Sequence, residues 1–181
     1  GREGGGAPAA ATGTTAILRI WTHDNFGEDL IINVRDAGIF YWDKTLGLSS
    51  RAVALSDRTN ADSTTPTIAK QVIVSDRDRH IIAFGCDAET SIGTQDPLLI
   101  RFSDQEDPTT WQSLPSNTAG DLRIGSGSEI VAAVETRQQI LVYTDVSLHA
   151  MQFLGPPFTF GINLVSENTT IMSPLAAIAH D

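Results

Sequence analysis

The sequence predicts an all-β protein built as a partial β-propeller, about two to three blades of antiparallel strands within a longer chain. Three observations carry this. Two short β-branched runs flank a tight charged turn three times over: Leu30–Val34 with Gly38–Trp42, Gln71–Ser75 with His80–Gly85, and Ile130–Val134 with Gln139–Thr144. No segment of comparable length has the period of a helix. Measured at Gly38, His80 and Gln138, the hairpins recur at steps of 42 and 58 residues, and propeller blades of four strands repeat at about 40–50 residues. Extra loop material at 87–96 and 104–121 accounts for the longer step. A β-sandwich is the rival architecture; it would give strands at similar density without needing the hairpin to recur.

Each element has its own justification. Gly1 to Thr15 is dominated by Gly, Ala and Thr; it has too little apolar surface to repay ordering, which predicts a flexible arm or linker over 1–15, with propeller blades over 16–181. Ala16–Trp21 reads as a strand, and the polar stretch Thr22–Glu28 as a connection. The first hairpin follows, with the turn Arg35-Asp36-Ala37. A long polar connection over 44–66 contains one apolar run, Arg51–Leu55, a candidate strand. The second hairpin turns at Asp76-Arg77-Asp78-Arg79 and leads through a polar loop to the strand Pro97–Ser103. Ala119–Ile124 reads as a short edge strand, and the third hairpin turns at Glu135-Thr136-Arg137-Gln138. Ser147–Leu154 and Phe158–Val165 are two further strands split by Gly155-Pro156-Pro157, and Pro174–Ala179 reads as the start of another.

Bulk composition narrows the function. The 181 residues suffice for one domain with a real core. Twelve basic against 22 acidic residues give net charge −10 and a pI near 4.6. Such a balance argues against a phosphate-gripping surface, because nucleic-acid affinity rests on Lys and Arg. Cys86 is the single cysteine, which excludes an intrachain disulfide and a cysteine zinc site. No apolar run approaches the ~20 residues of a membrane-spanning helix. The chain opens on Gly1 rather than Met, without a charged n-region or an apolar h-region; we expect a piece of a longer polypeptide.

Candidate chemistry is sparse. Asp104, Glu106 and Asp107 crowd three carboxylates into four positions. They could hold Ca²⁺ or act as acid and base, but the alternating acids, central Gly and distal Glu of an EF-hand are missing. Ser103 and Asp104 followed by Trp111 loosely resemble the Asp-box of sialidase-like propellers, which implies a structural turn in which acid and hydroxyl cap backbone groups while the ring packs. His23, His80, His149 and His180 show no metal-ligand spacing, and no Ser lies in GxSxG. No catalytic residue, cofactor or metal site is therefore assigned. Trp21, Trp42 and Trp111 read as packing residues or as sugar-stacking platforms. The charged hairpin tips make Arg35, Asp36, Asp76, Arg77, Asp78, Arg79, Glu135 and Arg137 candidate subunit contacts.

A family resemblance rests on three stretches: Trp21–Leu30 followed by Gly38–Asp43, Arg101–Trp111, and Gly127–Ile130 with Thr144–Leu148 on to Gly155. These resemble segments of the propeller-forming tail hub or nozzle proteins of short-tailed bacteriophages, the tail tubular, phage-stabilisation-like proteins. The resemblance implies a non-enzymatic virion protein, assembled in the bacterial host cytoplasm. Six copies would ring the tail axis, with tail adaptor and fibre proteins as further partners. Genomic DNA would pass through the channel without specific binding. The alternative is a carbohydrate-binding propeller or lectin module recognising a host surface; a sialidase-like glycosidase would need an arginine cluster and a Tyr–Glu pair that the sequence does not display.

Overall fold

The computed structural model describes residues 19–178. The predicted arm over 1–15, the first residues of the predicted strand at 16–21, Ala179 and His180 lie outside them. The described residues are all-β: twelve strands form three four-stranded antiparallel sheets, each a meander in chain order. Sheet one holds β1 (Trp21–Phe26), β2 (Asp29–Val34), β3 (Ile39–Trp42) and β4 (Val53–Ala54). Sheet two holds β5 (Gln71–Val74), β6 (Ile81–Phe84), β7 (Leu99–Phe102) and β8 (Gly120–Arg123). Sheet three holds β9 (Ile130–Glu135), β10 (Ile140–Thr144), β11 (Ser147–Gly155) and β12 (Thr159–Glu167).

Sheet two is the middle layer, and its sequence shows why. Strands β6 and β7, IIAF and LIRF, are buried at every position, as a sheet covered on both faces requires. Alternation splits their side chains between two cores. Val72, Val74, Ile81, Ala83 and Leu99 meet Phe26, Ile31, Ile39 and Tyr41 of sheet one. Ile73, Ile82, Phe84, Ile100 and Phe102 meet Ile130, Val142, Met151 and Phe160 of sheet three. Each fully buried side chain of this size contributes about 1.5–3 kcal/mol.

Four sequence expectations are corrected. The polar stretch 22–28 is not a connection: most of it belongs to strand β1, which pairs with β2 from Trp21↔Val34 to Phe26↔Asp29 around a two-residue loop, Gly27-Glu28. Gly27 has φ +68°, the backbone such a tight hairpin demands. An edge strand with one outward face tolerates the polar residues that disguised it. The recurring hairpin is also out of phase. β2–β3 is the middle hairpin of sheet one, whereas β5–β6 and β9–β10 open their sheets. Equivalent first strands start at Trp21, Gln71 and Ile130, 50 and 59 residues apart. Glu135 is the last residue of β9, paired with Ile140, so the turn is 136–139. Pro174 to Ile178 form no strand; Ala176 N–H closes a turn on the Ser173 carbonyl. The run Arg51–Leu55 does supply a strand, but only over Val53–Ala54.

Candidate functional site

The three first strands, β1, β5 and β9, are neighbours in that order, and polar groups bind them into one junction. At one end, Asp24 on β1 accepts a hydrogen bond from Val74 N–H of β5 at 2.8 Å. In the middle, the Gln71 amide clamps β9 by donating to Ala133 O (2.8 Å) and accepting from Ala133 N–H (2.9 Å). At the other end, Lys70, almost wholly buried, binds Asp36 of sheet one (3.0 Å) and Glu129 ahead of β9 (2.7 Å). Arg35 reaches across the stack to donate to Val131 O at 3.0 Å.

The two ends differ in electrostatics. Burial pushes the Asp36 carboxyl up, but hydrogen bonds from Lys70 and Gln95 outweigh that and hold it below the ordinary range. Glu135 lies at the opposite end, half-buried, with its carboxylate accepting from Asp76 N–H at 3.1 Å. Burial, seconded by the charges of Asp76, Asp24 and Asp78, pushes it up to about 7. Burial likewise raises Asp24. The acid-rich end therefore resists charge, and the Lys70 end favours it.

The proposed contact residues are distributed unevenly over this junction. Arg35, Asp36 and Glu135 are engaged between sheets of the chain itself. Asp78 is buried, while Asp76, Arg77 and Arg79 stand exposed on the β5–β6 turn and Arg137 on the β9–β10 turn. Arg79 lies over the Phe26 ring and within 4.0 Å of Glu106. Lys70, Glu129, Asp24 and Gln71 went unnoticed in the sequence. Lys70 offered one signal: it is the single charged residue between Asp62 and Asp76, and a lone charge in an apolar approach to a strand asks for a buried partner.

Loop residues Ser103, Asp104 and Trp111 form a closed network. Ser103 Oγ accepts from Ile81 N–H and donates to Asp104 O. Asp104 accepts from Gln105 N–H and from Thr118 N–H and Oγ1. Burial raises its carboxyl, yet the Thr118 and Gln105 bonds prevail and lower it. Asp107 accepts from the Thr109 and Thr110 hydroxyls. Trp111 is buried at 1% exposure, donates to Pro108 O and has its own N–H held by Asp62. Buried Arg101 donates to Trp111 O and Asp87 O. Asp104 Oδ1 and both oxygens of Asp107 spend lone pairs on the loop. Among the described residues no three His, Cys, Asp or Glu side chains converge as a metal site would.

His80, His149 and Cys86 are likewise packed into the fold. His80 is fully buried against Phe102, Phe153 and Phe160 and bonds Thr118 Oγ1; burial lowers its pKa. His149 Nε2 lies 3.0 Å from Ser147 Oγ and 3.2 Å from Ser126 Oγ. Ser147 is buried, and no carboxylate orients the ring among the described residues, so neither serine has the third member of a triad. Burial pushes the Cys86 thiol up to about 12, which makes it unreactive. Trp42 is half-buried with its N–H on Ser50 O, and Trp21 is 61% exposed. Among the described residues no helix is long and apolar enough to cross a membrane. No protein-family model matches the chain, and a search of curated proteins returns no match.

Proposed function

We propose that this chain forms blades of a β-propeller in the tail hub or nozzle of a short-tailed bacteriophage. Its role there is mechanical. Rigid stacked sheets hold the wall of a channel and present docking surfaces to copies of the chain and to adaptor and fibre proteins.

The observation that carries this reading is the character of the two outer faces of the stack. Alternation turns Leu30, Ile32, Phe40 and Trp42 to the far side of sheet one, in the cross-strand pairs Leu30↔Trp42 and Ile32↔Phe40. On sheet three, Leu141 with Val134 and Tyr143 with Leu148 do the same. A free-standing three-layer stack would set polar residues there. Blades in a ring need apolar side chains on both faces, because each blade packs between two neighbours. Adjacent first strands and the consecutive four-strand meanders fit the same architecture. Net charge −10 suits a wall that DNA must pass without sticking, since phosphate affinity comes from cations.

Immunogold labelling of purified virions with an antibody to this chain tests the assignment. Gold clustered on the tail below the vertex is the expected result. Label missing from virions, with the chain found free in infected cells, would overturn it.

A further inference from the structure

A second feature lies outside the junction of the first strands. The loop 113–119 of sheet two and the turn 155–158 of sheet three enclose an open cleft of about 910 Å³, near the top of the range of about 300–1,000 Å³ typical of small-molecule sites. Phe102, Phe160 and Leu122 line it. Phe158, 73% exposed, and Leu114, 44% exposed, stand on opposite walls.

The walls are fixed before any ligand arrives. Thr159 Oγ1 on sheet three donates to Thr118 O on sheet two at 3.0 Å. Asn117 braces its own loop by accepting from Leu114 N–H and donating to Gln112 O. Within this frame the side chains of Gln105, Ser113, Ser116 and Asp121 have no hydrogen-bond partner among the described residues.

We propose that this cleft binds a neutral oligosaccharide. Its lining includes Asp104 and Asp121 and no Lys or Arg, so phosphates, nucleotides and sialylated sugars meet acidic residues without a compensating cation. What remains is an exposed aromatic ring, a proline-flanked apolar wall and a fringe of amide, hydroxyl and carboxylate groups. A pyranose matches that set: its C–H face stacks on Phe158, and its hydroxyls exchange hydrogen bonds with Gln105 and the serines. The site would give the chain a grip on a glycan-coated surface. It stands apart from the tail assignment, which the virion labelling reads separately.

The test is an array of neutral bacterial polysaccharide fragments, sialylated glycans and proline-rich peptides, probed with the 181-residue chain and followed by calorimetric titration of the hits. The expected result is binding to neutral fragments, weakened about three- to tenfold by Phe158→Ala through the lost stacking and weakened also by Gln105→Ala. Phe158 is exposed, so the thermal midpoint of Phe158→Ala should stay at the wild-type value. No neutral glycan bound, sialylated glycans preferred, peptides bound instead along the free edge of β8, or neutral binding indifferent to both substitutions would each overturn the proposal.

Discussion

At the residue scale, Glu135 is the group most exposed to conflict. Burial raises its pKa above the ordinary 4.5, to about 7, with the nearby Asp76, Asp24 and Asp78 adding to the effect and the Asp76 N–H opposing it. A raised folded-state pKa means that the folded protein holds a proton the unfolded chain releases. Its stabilising contribution is complete below about 4.5 and is lost as pH rises through about 7. Glu135→Gln keeps an acceptor for the Asp76 N–H and removes the titration. Between about pH 5 and pH 8 the thermal midpoint of the variant should rise relative to that of the wild type, since only the wild type loses the Glu135 contribution. Equal slopes in both would contradict the placement of Glu135. None of this was legible in the sequence, where Glu135 reads as a turn residue. Its acidic neighbours sit some 60 and more than 100 positions away in the chain, and only the convergence of β1, β5 and β9 brings them together. Trp111 was readable because its turn partners are local, while its anchor Asp62 lies 49 residues upstream.

At the element scale, the apolar hairpins declared themselves through alternation and β-branching, because their side chains are the core. Strand β1 did not, since its residues at Trp21, His23 and Asn25 face outward and its turn has only two residues. The same contrast hid the phase of the repeat: with β1 unseen, the middle hairpin of sheet one stood in for the first. Gly85, just after β6, shows how tightly the elements are joined. It has φ +58°, and a Cβ there would meet the Lys70 side chain at 2.8 Å. Lys70 cannot swing aside without leaving Asp36 and Glu129. Gly85→Ala should therefore cost about 1–3 kcal/mol, more than backbone freedom alone explains, as measured by urea unfolding. A neutral or stabilising result would mean that the junction is looser than described.

At the scale of the whole molecule, the three sheets form a stack whose middle layer is complete and whose outer sheets also carry apolar side chains on their outward faces, beside the polar His23 and Asn25 of β1. All-β content and four-strand grouping follow from the hairpin pattern in the sequence. Which face of each sheet is already covered does not, because alternation assigns residues to two faces without saying what each face meets. The stack itself supplies that: sheet two is saturated, and the Leu30–Trp42 and Leu141–Tyr143 faces are not. The measurement that bears most directly on the account is electron cryomicroscopy of the assembled particle at side-chain resolution. The propeller account predicts further four-stranded sheets packed against both of those faces, with the first strands β1, β5 and β9 nearest the propeller axis. Three sheets alone, with Phe40, Trp42, Leu141 and Tyr143 facing solvent, would contradict it.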